Sequence, residues 1–346
     1  MGEIRVAVAG AGNLCSSTVQ GVLFYAKAKE PLGLLHPTLG GYKPSDIKVV
    51  AAFDISEAKV GKDLSEAIFA KPNNAPKVVD VPKMGVEVKM GPAPDLTEEG
   101  ALSSIKRASV EAVDVAAELR KAKADTLINM VSGGSDKASA LYAQAAIDAG
   151  CAYLNTTPSS VAGDAALVKR FTAAKLPLAG DDLLDQVGAT ALHIGILEFL
   201  HSRGAHIDES YQLDVGGGAE SISTLEKTKD TKRSIKTAAV TGHVPYKFPL
   251  VSGSTDFVDF LGNGRDSFFW VKGRYFGGVP FTMDLKLSSE DAPNGGSILL
   301  DAVRGMKVAR DKGAKGLVSP VCGYAFKRAP RTSLAAAYKA FRDLTG

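Results

Sequence analysis

The chain has 346 residues, of which 45% are hydrophobic and 23% are charged, and its formal net charge is +3 at pH 7. This length and composition predict a globular protein of two domains. No basic stripe interleaved with aromatic residues occurs, which argues against a nucleic-acid partner. The widely spaced Cys15, Cys151 and Cys322 fit neither a disulfide framework nor a zinc cluster. The chain starts with a predicted β-strand rather than a signal peptide, and no apolar run reaches transmembrane length, so we expect a cytoplasmic protein without a membrane partner.

The first predicted element is a strand followed by a glycine-rich turn. Residues Ile4–Ala9 form an almost unbroken apolar run, as expected for a parallel strand covered on both faces. Gly10 and Gly12 let the backbone turn sharply, and the start of the next helix offers N–H groups to a pyrophosphate. N-cap hydroxyls are expected from Ser16, Ser17 and Thr18. Because Cys15 stands where G-x-G-x-x-G has its third glycine, an ordinary glycine-rich turn remains the alternative to a dinucleotide site.

The second predicted strand, residues 47–55, carries Asp54 near its end. An acidic residue at this place binds the ribose 2′-hydroxyl of a dinucleotide and repels a 2′-phosphate, which favours NAD over NADP. Asp54 lies 44 residues after Gly10, whereas a minimal unit has about 20. The extra length is a Gly- and Pro-rich loop at residues 31–44, which is long enough to fold over a bound cofactor.

Helix and strand patterns alternate through the remainder of the first half. We predict helices over 56–70, 109–122, 137–149 and 165–174, strands over 126–131, 151–155 and 176–180, and an extended hairpin or lid over 77–92. Gly150 is expected to end the third of these helices. This alternation predicts a right-handed, mostly parallel sheet, that is, an α/β protein of the Rossmann-like, doubly wound class.

The pattern changes in the second half of the chain. Residues 211–215, 267–275 and 279–287 alternate like strands of an antiparallel sheet with one exposed face. A helix is then predicted over 298–313, and an apolar strand and loop over 315–327. We therefore predict an NAD-binding domain of residues 1–200 and 298–346, with an inserted α+β domain of residues 201–297.

Three further strand ends carry small, hydroxyl or acidic residues, where ligands of open α/β sheets bind. They are residues 132–136 (SGGSD), 155–158 (NTTP) and 180–182 (GDD). Helix capping is the alternative role of the first of them. The paired Asp181 and Asp182 suit ribose or sugar hydroxyls or a hard divalent cation, and the alternative is that they cap the helix at residues 188–192.

Five basic residues crowd into ten positions, namely Lys227, Lys229, Lys232, Arg233 and Lys236. If residues 231–237 are helical, Lys232 and Lys236 lie one turn apart on the same face. Two cations on one face repel each other, so an anion between them, such as a phosphate or a developing enolate, would explain the pair. A solvated helix face is the alternative.

These residues, in this order, resemble the myo-inositol-1-phosphate synthases of the archaeal and bacterial type. The resemblance covers nearly the whole chain, and it is carried by GAGNLCSSTVQG (10–21), GGYKPSDIKVVAAFDI (40–55), VGKDLSEAIF (60–69), GDDLLDQVGAT (180–190) and PNGGSILLDAVRGMKVARDKG (293–313). The family's glycine turn also departs from G-x-G-x-x-G. The resemblance implies conversion of glucose 6-phosphate to inositol phosphate by bound NAD without net redox change: carbon 5 is oxidised, carbon 6 loses a proton and attacks carbon 1, and the hydride returns.

The resemblance also implies site residues and assembly. Lys232 and Lys236 match the family's active-site lysine pair, and Lys327 matches its lysine near the carboxyl end; with Asp182 and Arg265 they form the expected catalytic set. The expected cofactor contacts are Gly10, Gly12, Asn13, Leu14, Cys15, Ser16, Asp54, Ile55, Ser132, Gly133, Thr156, Thr157 and Asp181. A divalent cation is a further candidate cofactor. The family's inserted sheet implies a homotetramer.

Several motifs depart from the family pattern. The chain reads GDD-L-L-D-Q for GDD-x-K-S-Q, Leu192-His193-Ile194 for Thr-His-Arg, and DVGGGAE, with Asp214, Gly218 and Glu220, for NVGGN-x-D. Leu184 thus replaces a lysine, and Arg265 stands where the family has another, which keeps the charge but does not readily give up a proton. The strand-tip proline motif is replaced by NMVSGGSD. Two alternatives therefore stay open: a diverged relative that uses NAD on another phosphorylated sugar, and an NAD-binding protein without turnover.

Overall fold

The structure, a computed structural model, describes residues 2–95, 105–218, 221–222, 224–329 and 332–346. Within these residues the strands form two sheets, one of seven strands and one of four. None of the helices in these segments is long and apolar enough to cross a membrane.

The larger sheet is parallel throughout. Its strands are β1 (Ile4–Ala9), β2 (Ile47–Asp54), β3 (Val88–Met90), β4 (Thr126–Asn129), β5 (Ala152–Asn155), β6 (Pro177–Ala179) and β11 (Gly316–Leu317). They lie in the order β11-β6-β5-β4-β1-β2-β3, and the first six strands thus follow the Rossmann order 3-2-1-4-5-6. The predicted α/β, doubly wound class is confirmed.

Helices cover both faces of this sheet. In chain order the helices are α1 (Asn13–Lys27), α2 (Leu64–Ala67), α3 (Val115–Lys121), α4 (Asp136–Ala149), α5 (Ala165–Ala173), α6 (Ala189–Ser202), α7 (Lys229–Thr241), α8 (Asp291–Asp311), α9 (Ser319–Ala325) and α10 (Leu334–Thr345). Of these, α6 and α7 lie against the smaller sheet instead. Ile4 and Val6 of β1 belong to the cluster formed with α8, α9 and α10, whereas Ala7 and Ala9 pack with α3, α4 and α5. The continuous apolar run of β1 therefore reflects burial on both faces.

The smaller sheet is mixed. Its strands are β7 (His206–Gly216), β8 (Leu250–Phe257), β9 (Gly264–Arg274) and β10 (Pro280–Glu290), in the order β10-β9-β7-β8. β9 runs antiparallel to both neighbours, as the alternating patterns predicted, but β7 and β8 are parallel. β8 escaped prediction because its sequence, LVSGSTDF, has no sustained apolar alternation. Helices α6 and α7 pack on one face of this sheet through Leu197, Val240 and Val271.

Three predicted elements between β2 and β4 are wrong in extent or type. The helix predicted over 109–122 begins only at Val115, after its N-cap Asp114. In place of a helix over 56–70, only Leu64–Ala67 is helical, because Gly61 takes a positive φ of 84° and Asp63 starts the helix by accepting the N–H of Ser65. In place of a hairpin over 77–92, the chain forms the single edge strand β3, which pairs in parallel with β2.

The loop at residues 31–44 does not fold over a cofactor site. Its Leu34, Leu39 and Tyr42 are buried in the cluster formed with α8, and Nδ1 of His36 lies 2.6 Å from Oδ2 of Asp301 on that helix. The apolar residues of the loop thus anchor it to the helical layer. The predicted loop within 315–327 is also wrong in part, since it contains α9.

The proposed division at residues 200–201 and 297–298 stays a proposal. The small sheet draws all its strands from residues 206–290, and α8 runs without a break across the second proposed junction.

Candidate active site

One cavity lies at the carboxyl edge of the large sheet and reaches the small sheet. Residues that follow β1, β2, β4, β5 and β6 line one side of it, as the strand-end rule predicts. Residues of α7, β9 and α8 line the other side, together with Lys327, which follows α9.

The glycine turn after β1 has two glycines with different requirements. Gly10 has a φ of 98°, and an added Cβ would lie 2.6 Å from the carbonyl oxygen of Met130, so only glycine fits there. Gly12 lines the cavity, yet no heavy atom of the described residues lies within 4 Å of an added Cβ. Gly10 is therefore needed by the fold, whereas Gly12 keeps open a space of the kind that a ligand fills.

The turn leads directly into α1. The helix begins at Asn13, and its N-cap, Gly12, makes no side-chain capping bond. The predicted capping by Ser16, Ser17 and Thr18 is wrong, because all three lie inside the helix. The first N–H groups of a helix have no intrahelical partner and favour an anion, and here they start beside the cavity.

Asp54, at the end of β2, fixes the shape of the turn. Its Oδ2 accepts the N–H of Ala11 at 2.8 Å, and its Oδ1 accepts the N–H groups of Ile55 and Ser56 at 2.8 and 2.9 Å. Lys59 Nζ, which sequence reasoning did not single out, lies 3.7 Å from Oδ2. The acid thus stands at the predicted place, but with a buried cation beside it.

Most of the predicted cofactor residues line the cavity. They are Gly10, Gly12, Asn13, Leu14, Asp54, Ile55, Ser132, Gly133, Thr156 and Thr157. The hydroxyl of Thr156 donates to the carbonyl oxygen of Asn129.

Ser135 is the N-cap of α4, but its side chain makes no capping bond. The carboxylate of Asp95 accepts the N–H groups of Lys137 and Ala138 instead. The capping alternative for this strand tip is thus not realised.

Three predicted cofactor residues do not line the cavity. Cys15 is fully buried between α1 and the sheet, where burial raises the pKa of its thiol to about 12. Ser16 accepts a hydrogen bond from Nε2 of Gln20. The carboxylate of Asp181 accepts the side-chain amide of Asn155 and the N–H groups of residues 161–163. A glycine-turn motif gives the path of the backbone but not which side chains face outward.

All five predicted catalytic residues line the cavity: Lys232, Lys236, Lys327, Asp182 and Arg265. Residues 231–237 are helical, as the lysine spacing required, and Lys232 and Lys236 are both buried. Lys229 and Arg233 of the same helix are exposed, so the solvated-face alternative applies to them. The side chain of Lys227 lies outside the described residues.

Lys327 is held by Asp182. Its Nζ donates to Oδ1 of Asp182 at 2.9 Å and to the carbonyl oxygen of Leu183 at 2.6 Å. A backbone bridge between Leu183 and Phe326 brings the two segments together. Burial opposes the charge of Lys327, but Asp182 and Asp185 raise its pKa above the ordinary lysine value. Lys327 therefore holds its proton more tightly than an exposed lysine.

Asp182 keeps one oxygen for another group. Burial opposes its charge, but the positive charges of Lys327 and Lys232 hold the pKa of the carboxyl below its ordinary value. Oδ2 is buried and has no hydrogen-bond partner among the described residues. An ionised, buried oxygen of this kind is an acceptor for a ligand hydroxyl. Neither Asp181 nor Asp182 caps α6, whose N-cap is Gly188, so that alternative is wrong.

The pKa of Lys236 is shifted in the opposite direction from that of Lys327. Its Nζ lies 2.5 Å from Oδ2 of Asp214 on β7. Burial lowers the pKa of Lys236, and Arg265 and Lys327 lower it further, while Asp214 opposes them. Gln212 Nε2 donates to both oxygens of Asp214. Lys236 therefore loses its proton more easily than an exposed lysine.

Arg265 completes a series of cation–carboxylate pairs across the cavity. Its guanidinium lies 2.9 Å from Oδ2 of Asp291 at the start of α8. The cations of Lys327, Lys236 and Arg265 thus each contact a carboxylate. Sequence reasoning noted Asp214 only as a departure and missed Asp291, because both partners lie far from their cations in the chain.

Known proteins resemble this chain over nearly its whole length. A family model described as myo-inositol-1-phosphate synthase matches residues 188–292. The inositol-3-phosphate synthase of Mycobacterium tuberculosis is 40% identical over 335 residues, which cover 95% of this chain and 91% of that protein. The chain belongs to the myo-inositol-1-phosphate synthase family.

Further relatives support this membership. The inositol-3-phosphate synthase of Corynebacterium glutamicum is 39% identical over 340 residues, 94% of this chain and 93% of that protein. The crystal structure of Ari2 has 31% identity and a TM-score of 0.79, with 99% of each chain covered. The inositol-3-phosphate synthase of Caenorhabditis elegans, at 14% identity and a TM-score of 0.76 over 100% of this chain and 86% of that one, shares the fold.

The family departures fall in two places. Leu184 and Ile194 do not line the main cavity. They line a second cavity of about 490 Å³, which Lys327 also lines. Arg265 and Gly218 line the main cavity, and Glu220 lies outside the described residues. The expected departures at Leu184 and Ile194 therefore lie near Lys327, whereas the one at Arg265 lies in the main cavity.

The expected divalent cation finds no ligand set here. Among the described residues, no group of three or more His, Cys, Asp and Glu side chains is placed to hold a metal ion. The carboxylates of Asp181 and Asp182 have separate partners, namely backbone N–H groups and Lys327.

Proposed function

We propose that this protein is an inositol-phosphate synthase that converts glucose 6-phosphate to myo-inositol phosphate with bound NAD and without net redox change. The observation that carries the proposal is the shared cavity. The open space at Gly12 and the strand-end acid Asp54 lie in the same cavity as Lys327 and the buried Lys232 and Lys236. A dinucleotide and a charged sugar can therefore meet inside one protein chain.

The cofactor end fits a dinucleotide. Gly12 would allow the pyrophosphate to approach the backbone, the start of α1 would supply N–H groups, and Asp54 would accept the ribose hydroxyl. Bound NAD would supply a reversible acceptor for hydride from the sugar.

The substrate end supplies fixed positive charge. Lys327, whose pKa is raised, stays protonated through the reaction and would bind the phosphate dianion or a developing alkoxide. Lys232 faces the same cavity from α7. Because the enzyme must stabilise charge that appears on carbonyl oxygens during enolisation and ring closure, preorganised ammonium groups lower the barrier most.

Lys236 is the candidate for proton transfer. Its lowered pKa brings its neutral form within reach at lower pH than for an exposed lysine, which is what a general base requires. Asp214, in contact at 2.5 Å, would stabilise the ammonium form after the proton is taken. Asp182 Oδ2 would accept a sugar hydroxyl and orient the ring.

The direct experiment is incubation of the purified protein with NAD and glucose 6-phosphate, followed by identification of the product by NMR. We expect myo-inositol phosphate and no net NADH. Stoichiometric NADH with an oxidised sugar would show a dehydrogenase, and bound NAD without any product from a panel of sugar phosphates would show a binding protein without turnover.

A second candidate function is the same chemistry on another phosphorylated sugar. Arg265 and Gly218, two departures from the family pattern, line the cavity itself. If a different hexose or pentose phosphate gives a cyclic product and glucose 6-phosphate gives none, this second function replaces the first.

We also propose a homotetramer assembled through the small sheet. Every residue of β10 is exposed or only half-buried, and Phe268 of β9 and Leu285 of β10 remain exposed. Apolar faces and edges of this kind are covered in assemblies. Light scattering at micromolar concentration should give four times the chain mass, and a monodisperse monomer would contradict the proposal.

A further inference from the structure

A buried lysine joins the glycine turn to the acid of β2. Lys59 is only 5% exposed. Its Nζ donates to the carbonyl oxygen of Ala11 at 2.9 Å and to Oδ1 of Asn73 at 3.0 Å, and it lies 3.7 Å from Oδ2 of Asp54. One ammonium group therefore contacts the turn and also lies beside the carboxylate that faces the ribose position.

Backbone hydrogen bonds hold the carboxylate of Asp54 beside this cation. Both its oxygens accept backbone N–H groups, one from Ala11 in the turn and two from the residues that follow β2. The side chains of Lys59 and Asp54 are 6% and 10% exposed, so little water screens their charges. A ligand group placed at Asp54 therefore experiences the combined field of a carboxylate and an ammonium.

We propose that Lys59 is a specificity-determining and positioning residue of the dinucleotide site, which holds the glycine turn and weakens the rejection of a 2′-phosphate by Asp54. The inference rests on the proposed NAD site. Asp54 alone would repel the additional dianion of NADP, whereas the ammonium beside it attracts that dianion. Selectivity for NAD is then set by the pair and not by the acid.

Asn73 allows the two roles of Lys59 to be separated. Its Nδ2 donates to the same carbonyl oxygen of Ala11 at 2.8 Å, but it carries no charge. Loss of the Asn73 side chain should therefore disturb the turn and weaken NAD and NADP by similar factors. Loss of the Lys59 charge should weaken NADP more than NAD.

The test measures the Kd of NAD and of NADP by calorimetry for the wild-type chain and for Lys59→Met, Lys59→Arg and Asn73→Ala. We expect the ratio of Kd for NADP to Kd for NAD to rise about fivefold or more in Lys59→Met, since a buried charge near the phosphate is removed. The ratio should stay within about twofold of the wild type in Lys59→Arg and Asn73→Ala. An unchanged ratio in Lys59→Met, or an equal rise in Asn73→Ala, would overturn the inference.

Asp54→Asn provides a readout that does not need Lys59→Met to fold. With the acid neutralised, the remaining ammonium should make NADP bind more tightly than NAD, so that the ratio falls below one. A ratio that falls only to one would show that the Lys59 charge does not act on the 2′ position. A wild-type chain that binds neither dinucleotide would contradict the proposed function itself, whereas NAD binding with insensitive ratios contradicts only this inference.

Discussion

The two ends of the cavity are built in different ways. The cofactor end is local: Gly10, Gly12 and Asp54 follow two adjacent strands, and their spacing reveals them in the sequence. The substrate end joins Lys236 of α7, Lys327 after α9 and Arg265 of β9, each held by a carboxylate from another segment. In the proposed function, backbone shape would set the cofactor contact and long-range ion pairs would set the reaction chemistry.

The substrate end also contains its own contrast. Lys327 and Lys236 both line the cavity and are both paired with aspartate, yet the pKa of Lys327 is raised and that of Lys236 is lowered. Asp182 and Asp185 both act on Lys327, whereas Arg265 and Lys327 act against the charge of Lys236. Two lysines of one cavity can thus serve as fixed charge and as proton carrier.

The largest effect should come from removing a cation of the substrate end. Lys232→Ala, Lys236→Ala or Lys327→Ala should each lower kcat by about 10²–10³, the usual cost of losing one group that stabilises developing negative charge. NAD affinity should barely change. Lys229→Ala is the matched control, because Lys229 is exposed on the same helix as Lys232. Full activity of Lys232→Ala would show that Lys232 has no catalytic role, as the solvated-face alternative states.

Gly12→Val should damage only the cofactor end. A Cβ added at Gly12 meets no heavy atom of the described residues within 4 Å, apart from its chain neighbours, so we expect the thermal stability to hold. A bound pyrophosphate would be overpacked at a typical cost of about 1–3 kcal/mol, which is roughly 5- to 150-fold in the Kd of NAD. Gly195→Ala, in α6, is a control with equally open space. Unchanged NAD affinity in Gly12→Val would show that NAD does not bind at this turn.

Short-range sequence signals predicted the elements that form the cavity, but not every side chain that lines it. The run Ile4–Ala9 with its glycines predicted β1 and the turn, and the lysine spacing predicted one face of α7. Cys15 and Asp181 do not line the cavity, because a motif does not show which side chains face outward. The only sequence signal for Lys59 is its position between Ala58 and Val60, shortly after Asp54.

Dinucleotide selectivity should show a smaller effect. With Asp54 at the ribose position, NAD should bind more tightly than NADP by at least about 1.4 kcal/mol, a factor of ten. Titration of the wild-type chain with each dinucleotide measures this directly. Equal affinities in the wild type that stay equal in Lys59→Met would show that Asp54 does not face the ribose.

The pH dependence should report on Lys236. Because its pKa is lowered, the neutral form that accepts a proton accumulates as pH rises through that value, and kcat should rise over the same range. Asp214→Asn removes the charge that favours the ammonium form, so the rising limb should move to lower pH by roughly one unit.

Asp208→Asn is the matched control for that shift. Asp208 lies on β7, the same strand as Asp214, but outside the cavity, and its carboxylate pairs with Arg274 of β9. Its pH profile should match the wild type. If the rising limb of the pH profile of kcat stays in place in Asp214→Asn, or moves equally in Asp208→Asn, then Lys236 is not the group that titrates.

The central claim, that one cavity oxidises and then reduces the same sugar, is tested most directly by following a deuterium label. Glucose 6-phosphate deuterated at carbon 5 is incubated with the NAD-loaded protein in the presence of unlabelled free NAD, and the product is examined by mass spectrometry and NMR. The account predicts cyclic inositol phosphate that retains the deuterium at the same carbon. Deuterium in free NADH together with an oxidised, open sugar would contradict it.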